Sequence, residues 1–298
     1  MNLTYLRILK KTPKLLYRFG FTTLAKSAQQ LYQKELIQYL YNQNASLFEM
    51  QNTAPKKDTQ NINTIWVCWL QGYENAPILV KKCIDQLKRY HNNVTIIDLN
   101  NYNNYAQIPE FIINKFNNKI ITPTHFSDIL RFALMSQQGG LWIDSTYLIL
   151  KKLPSQVFMN DFFTLSSKQD IFKKWIPEGK WAGNFMRFNR EDPTPTIIFQ
   201  CFINYWKYNN RLIDYFLIDF IIKLNYLYNP KFKSQIDTNL PIADHIFVMS
   251  EILLAPISAE NDARLVQDSL KIYKLSHRVD ATQCNINGTY YEKYILSK

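Results

Sequence analysis

The chain has 298 residues, of which 47% are hydrophobic and 15% aromatic, and it carries a formal net charge of +11 at pH 7. This apolar share supports a folded core and excludes a disordered chain, while the basic excess favours anionic partners without choosing among nucleic acid, lipid headgroups and sugar nucleotides. Four cysteines, Cys68, Cys83, Cys201 and Cys284, stand singly with no CxxC pair, which disfavours a disulfide framework or a zinc site and suits a reducing, cytoplasmic setting.

Residues 1–50 are expected to be helical, with breaks near Thr12-Pro13 and near Gly20. Arg7, Lys10, Lys11, Lys14, Arg18, Lys26 and Lys34 fall here with no acid before Glu35, and Leu3, Leu6, Ile8, Leu9, Leu15, Leu16, Tyr17, Phe19 and Phe21 interleave with them. Such a segment suits a helix lying on an anionic membrane surface, and equally an amphipathic hairpin packed on the core. No apolar run is long enough to span a bilayer, and no cleavage pattern follows a short apolar stretch. The expectation is a cytoplasmic protein, at most peripheral on the inner face of the cell membrane. Polar residues from Gln51 to Asn63 read as a linker, so an N-terminal basic helical extension at 1–60 precedes a main domain at 61–298.

Thr64 to Leu70 is apolar on both faces, as a strand central in a covered, largely parallel sheet must be. Gln71 to Pro77 makes a loop, Pro77 opens a helix to about Tyr90, and Val94 to Asp98 is a second strand. This strand–helix–strand order predicts a nucleotide-binding α/β half over 61–150, with ligands at the carboxyl ends of the strands. Trp69 lies at such an end, where its ring either stacks on a base or fills the core. Asp98, followed by Asn100, Asn101 and Tyr102, is a candidate for ribose or base contacts by position alone. Ile108 to Asn118 reads as a further helix.

The densest information lies between Ile120 and Leu150. Thr122 or Thr124 can cap a helix that Pro123 helps to start, and Phe126, Ile129, Leu130, Ala133 and Leu134 recur at helical spacing until Gly139-Gly140 ends it. Leu141 to Leu150 is rich in Leu, Ile, Tyr and Trp and reads as one core strand. Three charges interrupt this apolar block, and burying them unpaired would cost several kcal/mol. Asp128 and Arg131 share a helix face at i and i+3, and Asp144 and Thr146 share a strand face. They form either a structural ion pair with a capping Asp144, or a site in which Asp144 meets a metal or diphosphate and the pair meets sugar hydroxyls. His125 is a cap, a packing residue or a phosphate contact.

Beyond Leu150, Phe162 to Ser166 reads as a strand, and Thr196–Tyr208 and Leu212–Leu227 are aromatic-rich helices whose stripes belong to a core. Asp244 and His245, in the loop from Leu240, are the nearby acid/base pair and weak candidates for acceptor-side chemistry. Lys274-Leu-Ser-His-Arg278 is a basic segment near the end.

The run Ser127-Asp128-Ile-Leu-Arg131 followed by Gly139-Gly140-Leu-Trp-Ile-Asp144-Ser-Thr146 resembles the helix-and-strand signature of the capsular polysaccharide synthesis glycosyltransferases, within the wider group of DxD-motif sugar transferases of family 32 type. The resemblance runs from about Ile62 to His277 and is densest from Ile65 to Leu150. It implies a GT-A-type nucleotide-sugar-binding α/β fold, a Rossmann-like mixed sheet flanked by helices, with 151–298 as the acceptor-side half. It also implies a bacterial hexosyltransferase acting on a surface glycan such as capsular or lipopolysaccharide. Such an enzyme takes a nucleotide-sugar donor, UDP favoured, and a glycan or lipid-linked glycan acceptor, with retention of anomeric configuration. Asp144, Asp128 and Arg131 are then the catalytic candidates. Donor contacts are implied for these three and for Trp69, Asp98, Ser145, Thr146 and Asn184, less firmly for Gly183, with Arg278 in a basic segment that covers the diphosphate.

One departure bears on the chemistry. Where the wider group has a second acid for Mn²⁺ or Mg²⁺, this chain has Thr146, a neutral and weaker ligand for a hard cation. Asp144 is therefore the metal candidate, with metal dependence expected to be weak or dispensable and Lys/Arg, Arg278 among them, sharing the stabilisation of the leaving diphosphate. The competing readings are a glycoside hydrolase using Asp128 with Asp144, a non-catalytic basic protein on a membrane surface, and a nucleic-acid binder. The last is disfavoured because the basic residues concentrate in the N-terminal segment and no nucleic-acid motif occurs.

Overall fold

The structure is a computed structural model that describes residues 3–49, 63–239, 242–279 and 286–297. The expected linker, apart from Asn63, lies outside the described residues, as do Cys284, Leu240 and Pro241. In chain order the elements are α1 (Leu3–Arg18), α2 (Thr22–Glu49), β1 (Ile65–Cys68), α3 (Ile78–Tyr90), β2 (Val94–Ile97), α4 (Glu110–Asn117) and α5 (Pro123–Gln138). They continue with β3 (Gly140–Ile143), β4 (Tyr147–Ile149), α6 (Gln156–Met159), β5 (Phe162–Thr164), β6 (Phe185–Phe188) and α7 (Thr194–Tyr208). Last come α8 (Leu217–Tyr228), α9 (Pro230–Thr238), α10 (Val248–Ile252), α11 (Ala259–Gln267) and β7 (Ile272–Lys274). They divide into two compact units that interleave along the sequence, one drawn from Met1–Asp58, Ala106–Gln137 and Glu191–Asp237, the other from Thr59–Tyr105, Gln138–Arg190 and Thr238–Lys298.

The first unit is helical. Gly20, at φ 80°, separates α1 from α2 in a backbone region that favours glycine. The break expected at Thr12-Pro13 does not occur. Helix α1 continues through Pro13, whose ring is buried, so the lost backbone hydrogen bond is offset by apolar contact. Helix α2 packs on α7 and α8, and Tyr32 Oη donates to Asp214 Oδ2 at 2.7 Å to tie the hairpin to the segment before α8. Helix α5 is buried through Phe126, Ile129, Leu130 and Phe132 to Met135. Its first turn is closed by the His125 N–H donating to Thr122 Oγ1 at 3.3 Å, with Pro123 at the start, which selects Thr122 from the two expected caps.

The second unit is built on a sheet of order β2-β1-β3-β6-β5. Strand β1 runs parallel to both neighbours, and β6 is antiparallel to β3 and to β5. The sheet is therefore mixed: parallel where β1 and β3 cross over through helices, antiparallel at the far edge. All four residues of β1 are buried, as its two-faced apolar sequence requires. Cys68, Cys83 and Cys201 are buried free thiols, and burial pushes the Cys83 thiol up to about 12 against the opposing Lys274 charge, leaving it inert.

The single strand expected from Leu141 to Leu150 is two strands. Strand β3 belongs to the main sheet, whereas β4 pairs antiparallel with β7, far along the chain. The chain turns at Asp144-Ser145-Thr146, where the Tyr147 N–H returns to the Asp144 carbonyl at 3.1 Å. Continuous apolar composition conceals this turn, because both strands are buried and need the same residue types.

The glycine pair sets how β3 joins the sheet. Gly140 has φ 102°, and a Cβ there would lie 2.7 Å from both the Thr64 carbonyl oxygen and Trp66 Nε1, which itself donates to the Gly139 carbonyl. Neither backbone nor a bonded indole can yield that space. Gly140→Ala is accordingly expected to destabilise the protein by about 2 kcal/mol or more, read as a loss in denaturant midpoint with unchanged slope. Wild-type stability in that variant would show the close approach to be absent.

Candidate active site

The parallel strands β1, β2 and β3 end on Cys68, Ile97 and Ile143, and the next residues are Trp69, Asp98 and Asp144. Strand direction alone thus collects three of the expected site residues at one edge of the sheet, where ligands of open α/β sheets bind. The Trp69 N–H donates to the Ile97 carbonyl at 3.0 Å, so the β1 and β2 ends stay in register. Trp69 is half-buried; its Nε1–H has no hydrogen-bond acceptor among the described residues, and its ring meets His277 edge-on at 5.5 Å. Asp98 is tied locally: its Oδ1 accepts from the Asn100 and Asn101 N–H groups at 2.8 and 3.1 Å, which builds the turn after β2.

Asp144 is held from two sides. Trp142, two residues earlier, donates its Nε1–H to Oδ1 at 2.9 Å, and Lys274 Nζ lies 3.3 Å from Oδ2. The same ammonium donates to Thr146 Oγ1 and stands 5.4 Å from the centre of the Tyr147 ring. Lys274 arrives through the β4–β7 ladder, in which Tyr147 pairs with Lys274. Tyr147 Oη donates to Asn184 Oδ1 at 2.7 Å, and the Asp144 N–H donates to the Asn184 carbonyl at 2.9 Å, so Asn184 is fixed against the turn by both its side chain and its backbone. Ser145 and Thr146 are buried within that turn. The pair keeps partial solvent access, with the Asp144 and Lys274 side chains 27% and 19% exposed, so it is reachable by a ligand.

His277 and Arg278 follow Lys274 on the exposed stretch after β7. Desolvation of the ring, with the Arg278 and Lys274 charges, holds the His277 pKa below the usual histidine value, which keeps it neutral at pH 7. The Arg278 N–H closes a turn onto Ser276 Oγ at 3.2 Å. Asp244 accepts from Ser167 Oγ and is exposed, and the His245 carbonyl caps the start of α10, so the structure ties both into local loop architecture.

Asp128 and Arg131 belong to the helical unit. Arg131 Nη2 lies 3.3 Å from Asp128 Oδ1, and His125 Nδ1 lies 3.6 Å from Oδ2. Trp206 Nε1 donates to His125 Nε2 at 2.9 Å, which leaves the histidine proton on Nδ1, facing the carboxylate. These buried charges therefore have partners inside their own unit, as burial demands.

Lys274, Trp142 and Tyr147 are site residues that the sequence did not single out, and Arg278 stood as the expected basic partner. Lys274 lies in the same basic segment, but only strand pairing shows that it reaches Thr146, 128 residues away. The donor set does not fit a hard divalent cation well. Both Asp144 oxygens are engaged, an ammonium already bridges Asp144 and Thr146, and among the described residues no three His, Cys, Asp or Glu side chains cluster.

The fold is that of an α/β protein whose parallel strands end beside an aromatic ring and an acid paired with a lysine from a second, smaller sheet, and comparison with known proteins says of which kind. The chain matches the capsular polysaccharide synthesis protein family over residues 17–294 and belongs to it. It is 25% identical over 124 residues to the uncharacterized glycosyltransferase L373 of Acanthamoeba polyphaga mimivirus, covering 38% of this chain and 47% of that protein. The chain thus spans about half the length of the curated relative it matches. The glycosyltransferase GlyE of Streptococcus pneumoniae TIGR4 aligns structurally with a TM-score of 0.42 and 12% identity, over 79% of this chain and 60% of that one.

Removing the ammonium should open the Asp144–Thr146 gap to a cation. Lys274→Met is expected to bind Mn²⁺ at least about tenfold more tightly than wild type, since a like charge a few ångströms away opposes the metal. Titration calorimetry reads this directly, and equal affinities would mean that Lys274 does not guard the position.

Proposed function

We propose that this protein is a glycosyltransferase that moves a sugar from a nucleotide sugar, UDP being the favoured carrier, to a growing surface glycan or lipid-linked glycan. The observation that carries this reading is the placement of Trp69, Asp98 and Asp144 at the ends of three neighbouring parallel strands, with Lys274 bridging Asp144 and Thr146. Family membership and the glycosyltransferase name of the viral relative support it.

On this reading the base stacks on Trp69, whose free Nε1–H offers one further contact. The diphosphate lies against Lys274, with Arg278 on the exposed stretch beyond it. Breaking the anomeric C–O bond leaves negative charge on the outgoing phosphate, and a fixed ammonium in a partly dry site stabilises that charge more than water would. Asp144 keeps Lys274 aimed, and Trp142 keeps Asp144 in its rotamer. In a front-face transfer the acceptor hydroxyl oxygen bonds the anomeric carbon as the phosphate departs, and its proton passes to the leaving phosphate oxygen. The product then retains its configuration, and no protein base is required. Dependence on Mn²⁺ or Mg²⁺ is weak or absent.

The test is transfer, followed as UDP release from a panel of UDP-sugars. Asp144→Asn and Lys274→Met are expected to lower kcat by at least about a hundredfold at a temperature where circular dichroism shows both still folded, because the second removes the charge aimed at the transition state and the first removes the group that holds it there. Trp69→Ala should instead raise the donor KM about tenfold, the worth of one stacked base. Full activity in the Asp144 variant would reject this assignment.

A further inference from the structure

We propose that the α1–α2 hairpin is a docking surface for an anionic lipid bilayer. One face of α1 and the residue just beyond its end present Ile8, Lys11, Leu15, Arg18 and Phe19, spaced by three, four, three and one residues and all open to solvent, while the opposite face buries Leu6 and Pro13. The turn at Gly20 adds Phe21, and the first turn of α2 adds Leu24. Ile8, Leu15, Phe19, Phe21 and Leu24 are 61%, 56%, 66%, 55% and 58% exposed, a grouping of large apolar side chains that a solvated surface seldom carries.

Charge selects the partner. Lys11, Lys14, Arg18 and Lys26 are exposed beside these side chains, and no acid occurs before Glu35. Lys10 is used differently, since it lies 3.0 Å from Asp214 Oδ2 and donates to the Ile213 carbonyl at 3.0 Å, anchoring the hairpin to its own unit. The remaining cations surround apolar side chains in a stretch without any carboxylate of its own. An apolar interior beneath a layer of phosphates complements both features at once. No described helix is long and apolar enough to cross a membrane, so the hairpin lies along the surface. Docking of this kind is independent of the proposed transfer reaction.

The test sediments the full chain with vesicles of phosphatidylcholine, with or without about one quarter phosphatidylglycerol, at low and high salt. Binding is expected only to the anionic vesicles and to fade with salt. The triple variants Phe19→Ser/Phe21→Ser/Leu24→Ser and Lys11→Gln/Lys14→Gln/Arg18→Gln should each bind at least about tenfold more weakly with unchanged circular dichroism. Equal binding to neutral vesicles, or wild-type binding by both variants, would overturn the proposal. So would a wild-type dimer that the serine variant converts to monomer, since a second copy would then cover this face.

Discussion

The contact on which the rest of the sheet unit depends is the ion pair between Asp144 and Lys274. An aspartate that follows a buried strand and is only partly open to solvent is costly without a counter-charge. Lys274 supplies that charge, and it can do so only because β7 returns to pair with β4 and delivers it opposite Tyr147. The turn at 144–146, the split of the apolar run into β3 and β4, and the fixing of Asn184 by Tyr147 all meet at this point. Local chain direction and a long-range strand pairing each supply one half of the charged pair.

Much of this was legible in the sequence, for identifiable reasons. The two-faced apolar run before Trp69 could only be a covered strand, and its neighbours followed from the spacing of apolar residues. Gly139 and Gly140 marked the end of a helix in a chain with only seven glycines, and the structure gives both positive φ. The expected α/β class with a mixed sheet is what the strands form. The charges that break the apolar block at 128, 131 and 144 pointed to the residues that most need partners.

What the sequence concealed was decided by distant pairing. Asp144 and Thr146 were expected to share a face because a strand alternates, yet they approach one ammonium through a turn. Lys274 carried no local signal that set it apart from Arg278, since both stand in one basic stretch and register alone distinguishes them. Pro13 was expected to end a helix, but tertiary burial of its ring outweighed its local preference. In the helical unit, Asp128 and Arg131 are each other's counter-charge, with the His125 ring beside the carboxylate. Any role of that pair toward a sugar is then an addition to a structural one.

The central claim is that a lysine, rather than a divalent ion, meets the second phosphate of the carrier. Titration calorimetry of UDP and UMP against the full chain in excess chelator tests it most directly. The account predicts that UDP binds without metal and at least about tenfold more tightly than UMP, because only UDP reaches Lys274. UDP that binds only once Mn²⁺ is restored, or that binds no better than UMP, would contradict it.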